Sequence, residues 1–178
     1  MVYKDKEYFD KMEDYNYEML TYFNNDQHIF AELDRTKYMH CIDASGTSKG
    51  GCKAYIETKA RTGITSGYDD IFIESKKVAY LTLSYIVDGY IPLYINYMDY
   101  ADGFDYTLDL LPHTIMVWRL DKLNKWDYIP YIPTKSGGYK TVQVQERFCL
   151  FKTDATVYRL NPDNKTYRME TTDGIRCN

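Results

Sequence analysis

Residues 37–60 combine two strand-like runs with a turn between them, and this segment constrains the fold more than any other. The first run is KYMHCID, residues 37–43, and the second is AYIETKA, residues 54–60. The ten residues between them are rich in Gly, Ser and Thr, which suits a hairpin turn because glycine adopts positive φ without strain. The pattern predicts a β-hairpin that brings Asp43 and Glu57 close together, although they lie 14 positions apart in the chain.

Two amphipathic helices are predicted, one on each side of this hairpin. Residues 5–24 carry apolar side chains at three- and four-residue steps, which places them on one helix face. Residues 70–88 form the second helix, with Asp69 or Asp70 as its N-cap and Gly89 near its end. The predicted apolar face of this second helix includes Phe72, Ile73, Ala79, Tyr80, Leu83, Ile86 and Val87.

Further strands are predicted after the second helix, at residues 90–98, 113–120, 140–151 and 155–160. Residues 125–140 contain prolines and a Gly-Gly pair, which predicts a loop or an irregular hairpin. The order helix, strand, strand, helix, strand, strand predicts a mixed α/β fold in which helices flank one sheet. We expect a single domain over residues 1–178, with a core at about 5–120 and C-terminal strands and loops at 121–178 to which no role is assigned.

Composition and charge exclude several classes of protein. The net charge is −4, so contacts with nucleic-acid phosphates must be local or metal-assisted rather than spread over a basic surface. No run approaches the ~20 apolar residues that span a bilayer, and no signal peptide is visible. The four cysteines are scattered without a C-x-x-C pair, so neither zinc nor a disulfide framework is expected. We therefore predict a cytoplasmic protein that binds no membrane.

The charged residues at the hairpin suggest a chemistry. Glu57 and Lys59 are two positions apart on a strand and therefore project from the same face, and Asp43 meets them across the hairpin. Carboxylates are the hard oxygen ligands that Mg²⁺ prefers, and the backbone carbonyl of Thr58 offers a further oxygen. A lysine beside the ion holds or deprotonates water, or stabilises charge on a phosphate. These residues favour phosphodiester hydrolysis; the alternative is that Lys59 and Arg61 are edge charges that prevent aggregation.

The same residues resemble the PD-(D/E)xK phosphodiesterases, a superfamily that includes restriction endonucleases, Holliday-junction resolvases and phage exonucleases. The resemblance is carried by CID with Asp43, GTSKGGCKAYIETKAR with Glu57 and Lys59, and the following DIFIESKKVAYL, and it covers roughly residues 5–100. It implies a restriction-endonuclease-like fold, Mg²⁺ or Mn²⁺ bound by the two carboxylates, and a catalytic lysine at position 59. Ile42 replaces the proline of the superfamily's name, which takes no part in the chemistry.

The resemblance also implies a function, namely DNA cleavage in phage or mobile-element DNA metabolism, in the host cytoplasm if the chain is phage-encoded. Some members add a glutamate from the first helix, a role open here to Glu13 or Glu18. Many members cut as dimers, so a homodimer is among the expected assemblies. The alternative is a catalytically silent copy of the fold that binds proteins, associates with a virion or inhibits a host defence. Candidate DNA contacts are Lys49, Arg61 and Lys76. For Lys76 and its neighbour Lys77, in the first half of the second helix, the alternatives are a phosphate contact and a solvated helix face.

Overall fold

The computed structural model describes residues 6–36, 42–61, 70–99, 108–123, 127–134 and 143–170. Within these ranges the chain forms two α-helices and ten β-strands. The helices are α1 (Lys6–Gln27) and α2 (Ser75–Asp88). The strands are β1 (Glu32–Arg35), β2 (Ala44–Thr47), β3 (Lys53–Ala60), β4 (Asp70–Glu74), β5 (Ile91–Met98), β6 (Thr114–Arg119), β7 (Asp127–Thr134), β8 (Gln143–Phe151), β9 (Thr156–Asn161) and β10 (Thr166–Met169).

Seven of these strands form one mixed sheet, in the order β1-β2-β3-β5-β6-β9-β10. Neighbours in it are antiparallel except for β3 and β5, which are parallel. Such a pair needs a crossover connection, and the segment with β4 and α2 provides it. Strands β4, β8 and β7 form a separate antiparallel sheet. The predicted mixed α/β fold with helices is confirmed, but the expectation of a single sheet is wrong, because β4 pairs with a strand from the far end of the chain.

The large sheet is covered on both faces. Helix α1 packs Met19 and Phe23 into a core with Ile56 and other residues from one face. The opposite face contributes Trp118 to a second core, which it shares with Leu81 of α2 and with the small sheet. Because successive strand residues point to opposite faces, each central strand contributes to both cores. The central strands are therefore buried on both sides, and polar groups on them are held away from water.

The second helix is shorter than predicted. The expected helix over 70–88 is wrong in its first five residues, which form β4, and α2 begins at Ser75. Ile71 and Ile73 are buried in alternation and pair with β8, opposite Leu150 and Phe148. Long-range pairing therefore decides the structure of a segment whose local sequence is compatible with a helix.

The ends of α2 agree with the prediction at one end only. Asp70 is a strand residue rather than an N-cap, and Asp69 lies outside the described residues. The N-cap position is Glu74, whose side chain makes no capping hydrogen bond. At the other end Gly89 adopts φ 72°, which glycine tolerates best, and its N–H caps the helix. The predicted C-terminal signal is confirmed.

The predicted apolar face of α2 is wrong over most of its length. The residues that α2 buries are Val78, Leu81 and Ser84. Leu83, Ile86 and Val87 are instead 59%, 73% and 68% exposed. The helix faces the sheet through a narrower stripe than the sequence pattern suggests, so its C-terminal half presents apolar side chains outward.

The predicted hairpin forms, but its strands are shifted along the sequence. Strand β2 lies within the segment expected to be the turn, and Asp43 precedes a strand instead of ending one. Residues 37–41 of the expected first strand lie outside the described ranges. The turn itself is confined to Ser48–Cys52, where the Ser48 carbonyl accepts from the N–H of Gly51 at φ 81°. Gly46 in β2 lets the Phe30 ring pack against the strand, since a Cβ there would lie 2.6 Å from the ring.

The remaining strand predictions hold, and the C-terminal part belongs to the fold. The predicted strands at 90–98, 113–120, 140–151 and 155–160 correspond to β5, β6, β8 and β9, and the helix at 5–24 corresponds to α1. Of the segment 125–140, expected to be a loop or an irregular hairpin, residues 127–134 form β7, which pairs with β8 with a register shift between Ile129 and Ile132. Residues 125–126 and 135–140 lie outside the described ranges. Strands β9 and β10 extend the large sheet, and β7 and β8 complete the small one. Residues after 120 therefore take part in both sheets.

Candidate functional site

Asp43 lies one residue before β2, beside the part of β3 that β2 leaves unpaired. The last pair between these strands is Ala44 with Ile56, and the Asp43 N–H donates to the Ile56 carbonyl at 3.0 Å. Beyond that pair, Asp43 Oδ2 accepts hydrogen bonds from the backbone N–H and the hydroxyl of Thr58, at 2.7 Å and 2.6 Å. The carboxylate replaces the next strand partner, and the expected proximity of Asp43 to the Glu57 segment is confirmed.

Thr58 is observed as a support for Asp43. Its N–H and hydroxyl hold one carboxylate oxygen, which fixes the direction of the side chain. The N–H and C=O of one strand residue point to the same edge, so the Thr58 carbonyl faces the same gap beside Asp43. Its role as a third oxygen ligand for a metal stays a prediction.

Glu57 is an almost fully buried carboxyl group, with a side chain 2% exposed. Its Oε1 forms an ion pair with the Lys77 ammonium, and its Oε2 has no hydrogen-bond partner among the described residues. Burial, and then the negative charge of Asp43, raise the pKa of Glu57 to about 8, although Lys77 acts in the opposite direction. A buried oxygen without a partner costs free energy, so Oε2 is the atom that the site leaves open to a ligand.

Lys59 follows on the same face of β3, as the strand spacing predicts. Burial lowers the pKa of Lys59, and the Lys77 ammonium lowers it further, while Glu57 acts in the opposite direction. Lys59 donates no hydrogen bond to any group in the part of the chain that the structure describes. Its ammonium is therefore available to an incoming anion.

Lys77 is a residue of this site for which the sequence left open a phosphate contact or a solvated helix face. It lies near the start of α2 and forms the ion pair with Glu57. Burial opposes its charge, but Glu57 and Asp43 outweigh burial and raise the pKa of Lys77 above its usual value. No local sequence signal marks it, because the helix predicted over 70–88 places Lys77 two turns from its start, whereas α2 begins at Ser75.

Glu13 is the glutamate of α1 that the structure brings close to Asp43. Burial, and then the charge of Asp43, raise the pKa of Glu13, and Arg35 and Lys77 act in the opposite direction. Glu18 follows five residues later, about 140° around the helix, and both side chains are exposed. The choice that the sequence left open therefore favours Glu13 as a neighbour of the two carboxylates.

Arg61, a predicted DNA contact, is engaged within the protein. Its Nε donates to Asn96 Oδ1, and its Nη2 donates to the Phe72 carbonyl at 2.7 Å and to the Tyr94 hydroxyl at 3.2 Å. It thus connects the end of β3 to β5 and β4. Asn96 is fully buried, and its Nδ2 has no partner among the described residues. A DNA contact by Arg61 stays a prediction. These three bonds use Nε and Nη2, so such a contact would use Nη1.

Lys49 and Lys76, the other predicted DNA contacts, lie in different places. Lys49 is exposed in the hairpin turn, at the opposite end of β2 and β3 from Asp43. The rise of about 3.3 Å per strand residue puts that turn roughly 13 Å from Glu57. Lys76 is exposed on α2, next to Lys77. The structure therefore brings Lys76 to the neighbourhood of the site, and does not bring Lys49 there.

The donor set at the end of β3 suits a hard divalent cation. Within the described ranges, no three His, Cys, Asp or Glu side chains are grouped so that they alone would hold a metal ion. Mg²⁺ does not need such a group, since it is bound through one or two carboxylates and retains several waters. Glu57 Oε2 is a buried acceptor without a partner among the described residues, and Asp43 is fixed beside it. The oxygen ligands that these residues offer therefore fit Mg²⁺ or Mn²⁺.

Comparisons of the chain with protein-family models and with curated proteins found no match. Among the described residues, no helix has both the length and the apolar content that a membrane crossing requires. Membership of a superfamily therefore rests on the resemblance of Asp43, Glu57, Lys59 and their flanking elements. It stays a prediction.

Proposed function

We propose that this chain is a PD-(D/E)xK-type nuclease with a restriction-endonuclease-like fold, which cleaves DNA with Mg²⁺ or Mn²⁺. The observation that carries the proposal is the arrangement at one end of β3. There Asp43 is fixed by hydrogen bonds, Glu57 keeps one buried oxygen without a described partner, and Lys59 has no described acceptor. The order of an Asp, a hairpin, a Glu-x-Lys strand and a packed helix is also the order that the resemblance implies.

Each residue has a distinct part in this proposal. Asp43, Glu57 and the Thr58 carbonyl would hold the metal, whose chemistry when bound is Lewis-acid polarisation of a phosphoryl oxygen and of water. Thr58 keeps the Asp43 carboxylate in one orientation through its N–H and hydroxyl. The Lys59 ammonium donates to a phosphate oxygen, where it offsets the negative charge of the transition state.

The biological setting belongs to the same proposal. A nuclease of this kind serves phage or mobile-element DNA metabolism in the cytoplasm of a cell. Because the net charge is −4, we expect DNA to bind along a narrow basic strip beside the carboxylates, and its affinity to fall steeply with salt. A homodimer stays a prediction.

A cleavage assay with matched variants tests the proposal. Duplex, single-stranded, flap and four-way DNA substrates are incubated with Mg²⁺, with Mn²⁺ or with a chelator. We expect cleavage that requires the metal and that falls by at least about 100-fold in Glu57→Gln and in Lys59→Gln. Glu32→Gln, which removes an exposed carboxylate on β1, is the control and should cleave like wild type.

Circular dichroism and denaturant titration show whether each variant is folded. If folded Glu57→Gln and Lys59→Gln cleave as fast as Glu32→Gln, the catalytic assignment of Glu57 and Lys59 is wrong. If the folded wild-type protein cleaves no substrate with either metal, the nuclease proposal itself is wrong.

The alternative function, a catalytically silent copy that binds proteins, is favoured by one observation. Leu83, Ile86 and Val87 are exposed on the C-terminal half of α2, and adjoining exposed apolar side chains are frequent in interaction sites. A folded wild-type protein without cleavage would favour this alternative. Metal-dependent cleavage lost in Glu57→Gln would exclude it.

A further inference from the structure

Lys77 interacts electrostatically with four charged residues of the candidate site. It forms the ion pair with Glu57 Oε1, and its charge also acts on Asp43, Lys59 and Glu13. These residues come from α1, the β2–β3 hairpin and α2. Lys77 therefore lies where the three parts of the fold meet.

The exposure of the pair differs sharply between its two members. The Glu57 side chain is 2% exposed, whereas that of Lys77 is 32% exposed. A lysine has a flexible four-carbon stem and a compact charge, so the ammonium can leave the carboxylate for a nearby solvent-facing position without movement of the helix. Lys77 is thus the charged group between the buried carboxylate and water.

A divalent cation and the Lys77 ammonium compete for the same carboxylate. Oε1 of Glu57 is taken by Lys77, and Oε2 has no partner within the described part of the chain. A doubly charged ion on this carboxylate would repel the ammonium and weaken its hold. The displaced ammonium would need a new anion, and a DNA phosphate is the anion that the proposed function brings to this place.

We propose that Lys77 is a second cationic residue of the active site. It occupies Glu57 in the metal-free protein and donates to a DNA phosphate oxygen once a divalent cation is bound by Glu57. This inference rests on the proposed nuclease function. It gives Lys77 a role distinct from that of Lys76, its exposed neighbour, which forms no hydrogen bond or ion pair with a site residue in the described part of the chain.

The salt dependence of DNA binding tests this inference without cleavage. Each phosphate that a lysine neutralises contributes about 0.9 to the slope of log K against log [salt]. A labelled duplex is titrated over a KCl series with Ca²⁺ in place of Mg²⁺, after a gel has shown that the duplex stays intact. We expect the slope of log K against log [salt] to be less steep by about 0.9 in Lys77→Gln than in wild type. Lys77→Arg, and Lys122→Gln as an exposed charge-matched control, should keep it.

Cleavage with Mg²⁺ supplies a second readout. At saturating DNA we expect kcat to fall by about 100-fold in Lys77→Gln, to recover in part in Lys77→Arg and to stay unchanged in Lys122→Gln. A slope and a kcat in Lys77→Gln equal to those of Lys122→Gln would overturn the role of Lys77 while the nuclease stands. A wild-type protein that neither binds nor cleaves DNA would overturn both proposals.

Loss of Lys77 leaves the buried Glu57 carboxylate unpaired, so misfolding is a greater risk for Lys77→Gln than for the other variants. If circular dichroism shows that it is unfolded, Glu57→Gln/Lys77→Gln replaces it, because neither charge of the pair remains. The comparison is then with Glu57→Gln alone, in which Lys77 has no carboxylate partner and is free to donate to a phosphate without a cation. A slope that is less steep by about 0.9 in the double variant supports the phosphate contact, and equal slopes overturn it.

Discussion

Replacing Glu57 with glutamine is expected to remove a pH dependence of stability that the wild-type protein carries. Burial and Asp43 raise the pKa of the folded-state carboxyl from the ordinary 4.5 to about 8. Between these values the unfolded chain has lost the Glu57 proton and the folded chain retains it. The stabilisation is therefore fully present below about pH 4.5 and is lost as pH rises through about 8. Glutamine resembles the protonated side chain at every pH.

The magnitude follows from the size of this change. One pKa unit corresponds to about 1.4 kcal/mol, so the interval from the ordinary value to about 8 sets an upper limit of about 5 kcal/mol. Deprotonated Glu57 is the ion-pair partner of the Lys77 ammonium, whose charge opposes the rise in the Glu57 pKa, so we expect a change below this limit. We expect the difference in free energy of unfolding between Glu57→Gln and wild type to grow by about 2–4 kcal/mol from about pH 5 to about pH 8.5.

Urea denaturation measures this difference, with fluorescence of the buried Trp118 as the probe and a chelator present to keep divalent cations off the site. Other carboxyl groups titrate in both proteins, so only the difference between the curves reports on Glu57. The exposed Glu32→Gln serves as the control and should follow wild type at all pH values. A difference between Glu57→Gln and wild type that stays constant over the whole range would refute the reasoning.

Three further changes test the fold by urea denaturation. Leu81→Ala should lower the free energy of unfolding by about 2–5 kcal/mol, whereas Leu83→Ala, at 59% exposure, should change it by less than about 0.5 kcal/mol; equal losses would contradict the observed helix face. Arg61→Ala should cost about 1–3 kcal/mol because a buried amide oxygen loses its donor, against less than about 1 kcal/mol for the exposed Arg35→Ala. Gly46→Ala should cost about 1–3 kcal/mol, since its Cβ meets an aromatic ring; an unchanged midpoint would count against this packing.

Elements whose partners lie nearby in the chain could be predicted from the sequence. Helix α1 follows from its apolar spacing, and β5 and β6 from continuous apolar runs. The β2–β3 hairpin was predicted with its strands misplaced, yet the proximity of Asp43 to Glu57 survived the error. A hairpin of any register brings the two flanks of its turn together, and the Asp43 side chain reaches Thr58 from just outside β2.

Elements whose partners are distant could not be predicted in the same way. The segment DIFIE has β-branched residues in alternation, but it also continues the apolar pattern of the helix that follows. Its strand partner, β8, begins at Gln143, and no local signal in the segment points there. Long-range pairing overrides local preference in such cases, and the error in the start of the helix carries over to the prediction of its apolar face.

The residues of the candidate site also differ in whether their partners lie nearby in the chain. Asp43 and Glu57 come from one hairpin, so their proximity was predictable from the turn between them, and strand geometry puts Lys59 on the same face as Glu57. Lys77 comes from a helix that packs on this hairpin only in the folded protein, and a lysine in a helix usually faces water. Only the packing of α2 on the sheet distinguishes Lys77, which meets Glu57, from the exposed Lys76.

The position of Lys77 in turn depends on the C-terminal part of the chain. Strand β4 leads directly into α2, and β4 is held by antiparallel pairing with β8 from Asp70↔Phe151 to Glu74↔Arg147. On the other side of β4, the Phe72 carbonyl accepts from Arg61 at the end of β3. These two attachments fix the start of α2 relative to the Glu57 strand. Strands that match nothing in the resemblance therefore determine whether a lysine reaches the buried carboxylate, and the site extends structurally beyond the segment that suggested it.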